Sequence, residues 1–230
     1  MDTEEKSRVW VVIAAFNEGA VISNTVSGVR AHFSNVVVCD DSSNDSTAEA
    51  AYAAGAHVIS HPINLGQGAA LQTAITYALR QGAEYIVTFD ADGQHDVTEI
   101  TPMLAALQQS GVDVVLGSRF LNHESNVPRL RRFVLGAALL FTRITLRIHL
   151  TDIHNGFRAL SRQFCQEFEF KQNRMAHASE ILEYIAAKKV KYIEHPVTIS
   201  YTEYSIQKGQ KSSNSIRILL ELLMHRISKH

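Results

Sequence analysis

Cysteines, long apolar runs and any excess of one charge are what this chain of 230 residues has little of. Its two cysteines, Cys39 and Cys165, stand far apart in apolar or mixed surroundings. They form neither a disulfide framework nor a zinc-ligand spacing and read as reduced core thiols of a cytoplasmic protein. No stretch reaches the roughly 18 to 20 apolar residues that cross a bilayer. The longest candidate, residues 133–150, is interrupted by Arg143, Arg147 and His149. The chain is therefore expected to lie on a membrane and not to span one. A formal net charge of -1 lacks the basic surplus that bulk nucleic-acid binding requires. The opening MDTEEKSR is acidic and polar and does not read as a secretory leader. There is no internal repeat and no low-complexity tract.

What is present is an ordinary globular composition, 46% hydrophobic and 20% charged, sufficient for one large domain or one domain with an appended helix. Apolar β-branched runs at 9–14, 36–39, 57–60, 85–89 and 112–116 alternate with helical periods at 20–32, 46–54, 69–81 and 97–109. That alternation predicts an α/β fold with a mostly parallel sheet covered on both faces. In such sheets ligands bind outside the carboxyl ends of the strands. Four polar clusters fall at those ends: Asn17-Glu18, Asp40-Asp41, Asp90 to Asp92, and Ser118-Arg119. Beyond residue 120 the chain changes character. Arg129, Arg131, Arg132, Arg143 and Arg147 crowd a segment without acids, and 133–150 is an apolar helical pattern carrying two of them. A loop over 152–158, a helix over 179–188, one or two strands over 190–202 broken by Pro196, a basic loop over 208–213 and an amphipathic helix over 215–227 complete the expectation.

The segment VTFDADGQHD holds the sharpest chemical signal. Side chains two apart on an extended strand share a side, so Asp90 and Asp92 can converge on one object. Two hard carboxylate donors suit Mg²⁺ or Mn²⁺, and such an ion commonly holds a phosphate. The same residues also serve a plain Asp/Gly turn. Asn17 and Glu18 can meet a ribose or base, or cap the following helix. Asp41 can read a base N–H or close a turn. Gly66 and Gly68 precede a helix whose N–H groups can face an anion, or simply let the chain pass closely. His95, His123 and His154 lack a metal-ligand spacing and read as solvent-facing or hydrogen-bonding residues.

In their order, IAAFNEG, VVVCDDSSNDST, NLGQGAALQTAI, VTFDADGQHD, VLGSRF and TDIHNGFRAL resemble the family 2 glycosyltransferases with the GT-A fold. Within that family the chain is most similar to the dolichyl- and polyprenyl-phosphate sugar synthases. The resemblance is strong over residues 9–160. It implies Asp90, Asp92 and Gln94 as cation ligands, Arg119 facing phosphate, and Asp41 on the base. It further implies that Ala15, Asn17, Glu18, Gly66, Gly68 and Ala91 line the donor site, with Asn155 and Arg158 beside them. Arg131 takes the place of the arginine that meets the acceptor phosphate, although the serine usual four residues later is Leu135. Where the family has a lid arginine this chain has Ile206, so Lys208 or Lys211 would supply that charge.

The activity so implied is an inverting transfer of a hexose from a UDP- or GDP-sugar to a polyprenyl phosphate, with Asp92, Arg119 and Asp152 as the catalytic group. A lipid phosphate is already largely ionised and needs no base; a glycan hydroxyl would need one, and Asp152 is the fallback. The alternatives are that glycan-hydroxyl acceptor in cell-surface polysaccharide synthesis, and a non-catalytic nucleotide-sugar-binding subunit of a membrane complex. The expected domain spans 1–214, with 215–230 as a terminal amphipathic helix. The expected place is the cytoplasmic face of the membrane, with the arginine-bearing helix at the interface or, alternatively, in the core. An integral membrane partner is a further expectation.

Overall fold

The computed structural model describes residues 3–121, 139, 142–143, 145–153, 155–174 and 176–200. A short helix α1 (Thr3–Ser7) leads into β1 (Val9–Ala15), α2 (Ile22–Arg30), β2 (Asn35–Asp40), α3 (Thr47–Ala53) and β3 (His57–Ser60). Then come α4 (Gln67–Arg80), β4 (Tyr85–Asp90), a 3-10 turn (Val97–Glu99) running into α5 (Ile100–Ser110), and β5 (Val114–Ser118). After the partly described stretch follow β6 (Arg158–Ser161), α6 (Arg162–Glu167), α7 (His177–Lys188) and β7 (Tyr192–Pro196).

Among the described residues seven strands form one sheet in the order β3-β2-β1-β4-β6-β5-β7. Every pairing is parallel except the two that β6 makes with β4 and β5. This is the mostly parallel, two-sided sheet that the alternation predicts. Because β6 is antiparallel to both neighbours, β4 and β5 run the same way, and the ends of β1, β2, β4 and β5 open on one rim.

Strand alternation divides the core into two clusters. Trp10, Val12, Val37, Ile86 and Leu116 meet α4, α6 and α7 through Leu71, Ile75, Phe164, Ile181 and Ile185. Val11, Ile13, Val38, Val87 and Phe89 meet α2, α3 and α5 through Ile22, Val26, Ala51, Met103 and Leu104. Each such fully buried aliphatic or aromatic side chain contributes about 1.5–3 kcal/mol. Burial on both faces explains why these strands are continuous apolar runs.

The sequence expectation differs from the structure at several points. The fifth strand starts two residues later than expected, and residues 97–99 form a 3-10 turn because the Asp96 carboxylate accepts from Thr98 N at 2.9 Å, capping a tight first turn. Residues 158–161, of which only Arg158 has a sequence expectation, as the end of a loop, form the antiparallel strand β6. Of 133–150, residues 139, 142–143 and 145–146 are helical, and Arg147 turns left-handed at φ 56. Leu139 and Leu146 pack on the first core cluster, and Ile148 and Leu150 are buried in it. Arg131, residues 133–138, Lys208, Lys211 and the 215–227 helix lie outside the described residues. No described helix is long and apolar enough to cross a membrane.

Candidate active site

The rim gathers its polar residues through strand register. Ala15 pairs with Asp40, and Ala14 with Asp90, so the loops after β1, β2 and β4 leave the sheet side by side. Asn17 takes a left-handed backbone at φ 54, where its short polar side chain is tolerated. Its Oδ1 accepts from Asn44 N at 2.8 Å, while Asn17 N and Glu18 N donate to Ser43 Oγ and Thr47 Oγ1, each at 2.8 Å. The Asn17-Glu18 loop is thereby stitched to the loop after β2. Ala15 and Ala91 are both buried, their carbonyls accepting from Asp41 N and Thr25 Oγ1.

Strand β4 stops at Asp90, and Asp92 lies in the turn beyond it. The two carboxylates are therefore brought together by the turn, with Gly93 at φ 72, and not by an extended run through both as alternation alone suggests. Asp92 accepts from Gln94 N at 3.1 Å and from Gln94 Nε2 at 2.7 Å. Burial and the Asp90 charge push the Asp92 carboxyl up to about 6, and the Glu18 charge adds to this. Asp90 moves the other way. Burial would raise it, but its charge interaction and hydrogen bond with His95, with help from Arg158 and His177, hold it below the ordinary range.

A carboxylate raised by burial and by its neighbour's charge would be brought back down by a cation bound at the pair. The oxygen donors of Asp90, Asp92 and Gln94 fit Mg²⁺ or Mn²⁺. Among the described residues no three His, Cys, Asp or Glu side chains form a metal-holding cluster. An ion here would complete its coordination with substrate phosphate and water, as Mg²⁺ commonly does.

Arg158, which the resemblance puts beside the donor, is fully buried in β6, two residues below Asp90 on the neighbouring strand. Its Nε and Nη1 have no hydrogen-bond partner among the described residues. Burial lowers it to about 10, against the pull of Asp90 and Asp152. It stays a cation and acts on both carboxylates through charge. Asn155 Oδ1 accepts from Phe157 N at 3.0 Å, which fixes the tight loop before β6.

Arg119 and Asp152 form a buried two-point ion pair, Nε to Oδ2 at 2.6 Å and Nη2 to Oδ1 at 2.9 Å. Glu194 of β7 holds this loop, accepting from Thr151 N at 2.8 Å and Asp152 N at 3.1 Å. Two of the three guanidinium nitrogens expected to face phosphate are thus engaged by Asp152.

The Asp41 carboxylate, expected on the base, accepts from Leu65 N at 2.9 Å, Gly66 N at 2.6 Å and His61 Nδ1 at 2.8 Å. Gly68 N and Ala69 N donate to the Asn173 carbonyl. The N–H groups expected to face an anion are therefore largely spent inside the protein. A Cβ on Gly68 would stand 2.1 Å from the Gln172 carbonyl oxygen, so the close-passage reading of these glycines accounts for them. Sequence reasoning did not single out Glu194, His177, His61 or Gly156. The first three act across long sequence separations; only Gly156 sits inside a motif where it could have been noticed.

The profile "Glycosyl transferase family 2" matches residues 10–168. The chain belongs to glycosyltransferase family 2. Its activity is sugar transfer, and its fold is the GT-A arrangement. It is 29% identical to UDP-N-acetylglucosamine--dolichyl-phosphate N-acetylglucosaminyltransferase of Methanococcus voltae, over 96% of this chain and 97% of that one. It is 32% identical to undecaprenyl-phosphate mannosyltransferase of Micrococcus luteus, over 66% of this chain and 65% of that one. Among solved structures, glucosyl-3-phosphoglycerate synthase of Mycobacterium tuberculosis in complex with Mg²⁺ and uridine diphosphate superposes with a TM-score of 0.71. That match has 19% identity and covers 95% of this chain and 82% of the other.

Proposed function

We propose that this glycosyltransferase moves a hexose, with inversion, from a UDP- or GDP-sugar to a polyprenyl phosphate, using Mg²⁺ or Mn²⁺ at the Asp90–Asp92 turn. The observation that carries the acceptor assignment is the Arg119–Asp152 pair. The carboxylate offered by the sequence as a general base gives both oxygens to a buried guanidinium. A base so engaged is poorly placed to take a proton from a hydroxyl. A phosphomonoester, with a second pKa of about 6, arrives already ionised and needs none. The relatives from Methanococcus voltae and Micrococcus luteus, named for dolichyl-phosphate and undecaprenyl-phosphate transfer, support the same reading.

The displacement balances in one step. An acceptor phosphate oxygen bonds to the anomeric carbon as the bond from that carbon to the donor diphosphate breaks, its electron pair leaving with the diphosphate. Asp90, Asp92 and Gln94 would hold the cation, which when bound supplies Lewis-acid stabilisation of the departing charge. Ala15, Asn17, Glu18 and Ala91 line the donor side of the rim. Arg158 offsets the negative charge of Asp90 and Asp152 from beneath. Arg131, Lys208 and Lys211 are the proposed contacts to acceptor phosphate and donor diphosphate. The catalytic domain would span 1–214 and act peripherally on the cytoplasmic face, with the exposed Arg143 and Arg147 of 133–150, and 215–230, meeting the lipid surface.

The test is an acceptor panel: protein, Mn²⁺ and labelled UDP- or GDP-sugars with polyprenyl phosphate, polyprenol or oligosaccharide. Label in the phosphate-bearing lipid alone is expected. Label on a hydroxyl acceptor, or donor binding without turnover, contradicts the proposal.

A further inference from the structure

Behind Asp90 stands a side chain outside the proposed donor set. His95 follows the turn after β4, and its side chain is 1% exposed. Its Nε2 lies 2.9 Å from Asp90 Oδ2. Facing a carboxylate at that distance, Nε2 is the nitrogen that carries hydrogen and donates. The imidazole packs against Phe89 and Phe157, with ring centroids at 5.3 and 4.9 Å, and those two rings also touch each other. Its backbone is pinned as well: His95 forms a β-bridge with Ile199, and Ser200 N donates to the Gln94 carbonyl at 2.9 Å. Burial and these contacts hold the ring against Asp90.

The other ring nitrogen, Nδ1, is buried without a hydrogen-bond partner among the described residues. Packing alone does not call for that. A phenylalanine or leucine would fill an aromatic slot without stranding a polar atom. The cost makes sense only through the single bond to Asp90. Gly156 abuts the same carboxylate: a Cβ there would come within 2.6 Å of Asp90 Oδ1 and 3.0 Å of Oδ2. Asp90 therefore has both a buried donor and a close-passing glycine backbone against its carboxylate.

We propose that His95 is a positioning residue for the cation: by tying Oδ2 of Asp90, it presets the carboxylate's orientation toward Asp92 before any ion arrives. The proposal rests on the cation reading of this turn. A donor behind a ligating carboxylate fixes its direction and spares the ion the work of ordering it, and loss of such outer partners costs about 10–100-fold in metal affinity.

The experiment uses the full chain and Mn²⁺ alone, with free ion followed by electron paramagnetic resonance at fixed pH. His95→Gln places an amide nitrogen near the position of Nε2, whereas His95→Asn, equally polar, falls short of Asp90. Thermal unfolding of each variant reports folding separately. Expected is Mn²⁺ binding within a few-fold of the unsubstituted protein for His95→Gln, and weakened about 10–100-fold for His95→Asn. Equal affinities for the two variants, whether both intact or both weakened, overturn the positioning role. If the unsubstituted protein fails to bind Mn²⁺ and Asp92→Asn changes nothing, the cation reading itself falls, an outcome distinct from the first.

Discussion

The Asp92 carboxyl, raised to about 6 by burial and by the Asp90 charge, must lose its proton before it can hold a cation. Mn²⁺ affinity of the free protein is therefore expected to be level above pH 6 and to fall about tenfold per unit below it, measured by Mn²⁺ titration between pH 5 and 8. A flat profile contradicts the assignment. His177 gives a second pH effect, on stability. Burial, reinforced by the Arg158 charge, lowers it from 6.5 to about 4. Between those values the unfolded chain takes up the proton and the folded one does not. Its contribution is thus fully present above pH 6.5 and is lost as pH falls toward 4, by about 3 kcal/mol at most, at about 1.4 kcal/mol per unit. His177→Gln is expected to flatten this slope in denaturant titrations across that window. Asp90, Asp92 and Gln94 were legible because they occupy one short segment with a chemical pattern. Of the groups that act on them, His177 was not, because it reaches Asp90 from a helix far along the chain. Glu194 reaches Thr151 across 43 positions, and no local period announces such a contact.

At the scale of elements, the antiparallel β6 was the strand that sequence patterning hid. It has four residues, Arg158–Ser161, and begins with an arginine, so it lacks both the length and the apolar face by which strands are recognised. Yet it joins β4 to β5 and carries a buried charge beneath Asp90. The entry to α4 teaches the complementary lesson. A glycine-containing loop before a helix suggests an anion site, but here the helix start is closed by Asp41 and by the Asn173 carbonyl. Gly68→Ala would drive its Cβ to 2.1 Å from the Gln172 carbonyl oxygen. A loss of about 1–3 kcal/mol in unfolding free energy is expected, checked by urea denaturation. An unchanged midpoint would show that the 172–173 segment does not seat on α4 as described.

Over the whole molecule, the alternation of apolar runs and helical periods was enough to predict the sheet, its two covered faces and the rim where polar clusters meet. It could not predict which of those polar groups face outward. Asp41, an acid at a strand end, and Asp152, an acid opening a loop, look as available in sequence as Asp90 and Asp92, but they spend their oxygens on neighbouring backbone and on Arg119. Asp92, raised by burial and by Asp90, is the acid of this turn that the fold leaves uncompensated, and the proposed catalysis stands on it. The most direct test is sugar transfer to polyprenyl phosphate by chelator-treated protein with Mn²⁺ restored or withheld, run beside Asp92→Asn. Transfer only with the cation restored is predicted, with the substituted protein slower by about a hundredfold or more at an unchanged melting temperature. Full transfer in chelator, or by the Asp92→Asn protein, would contradict it.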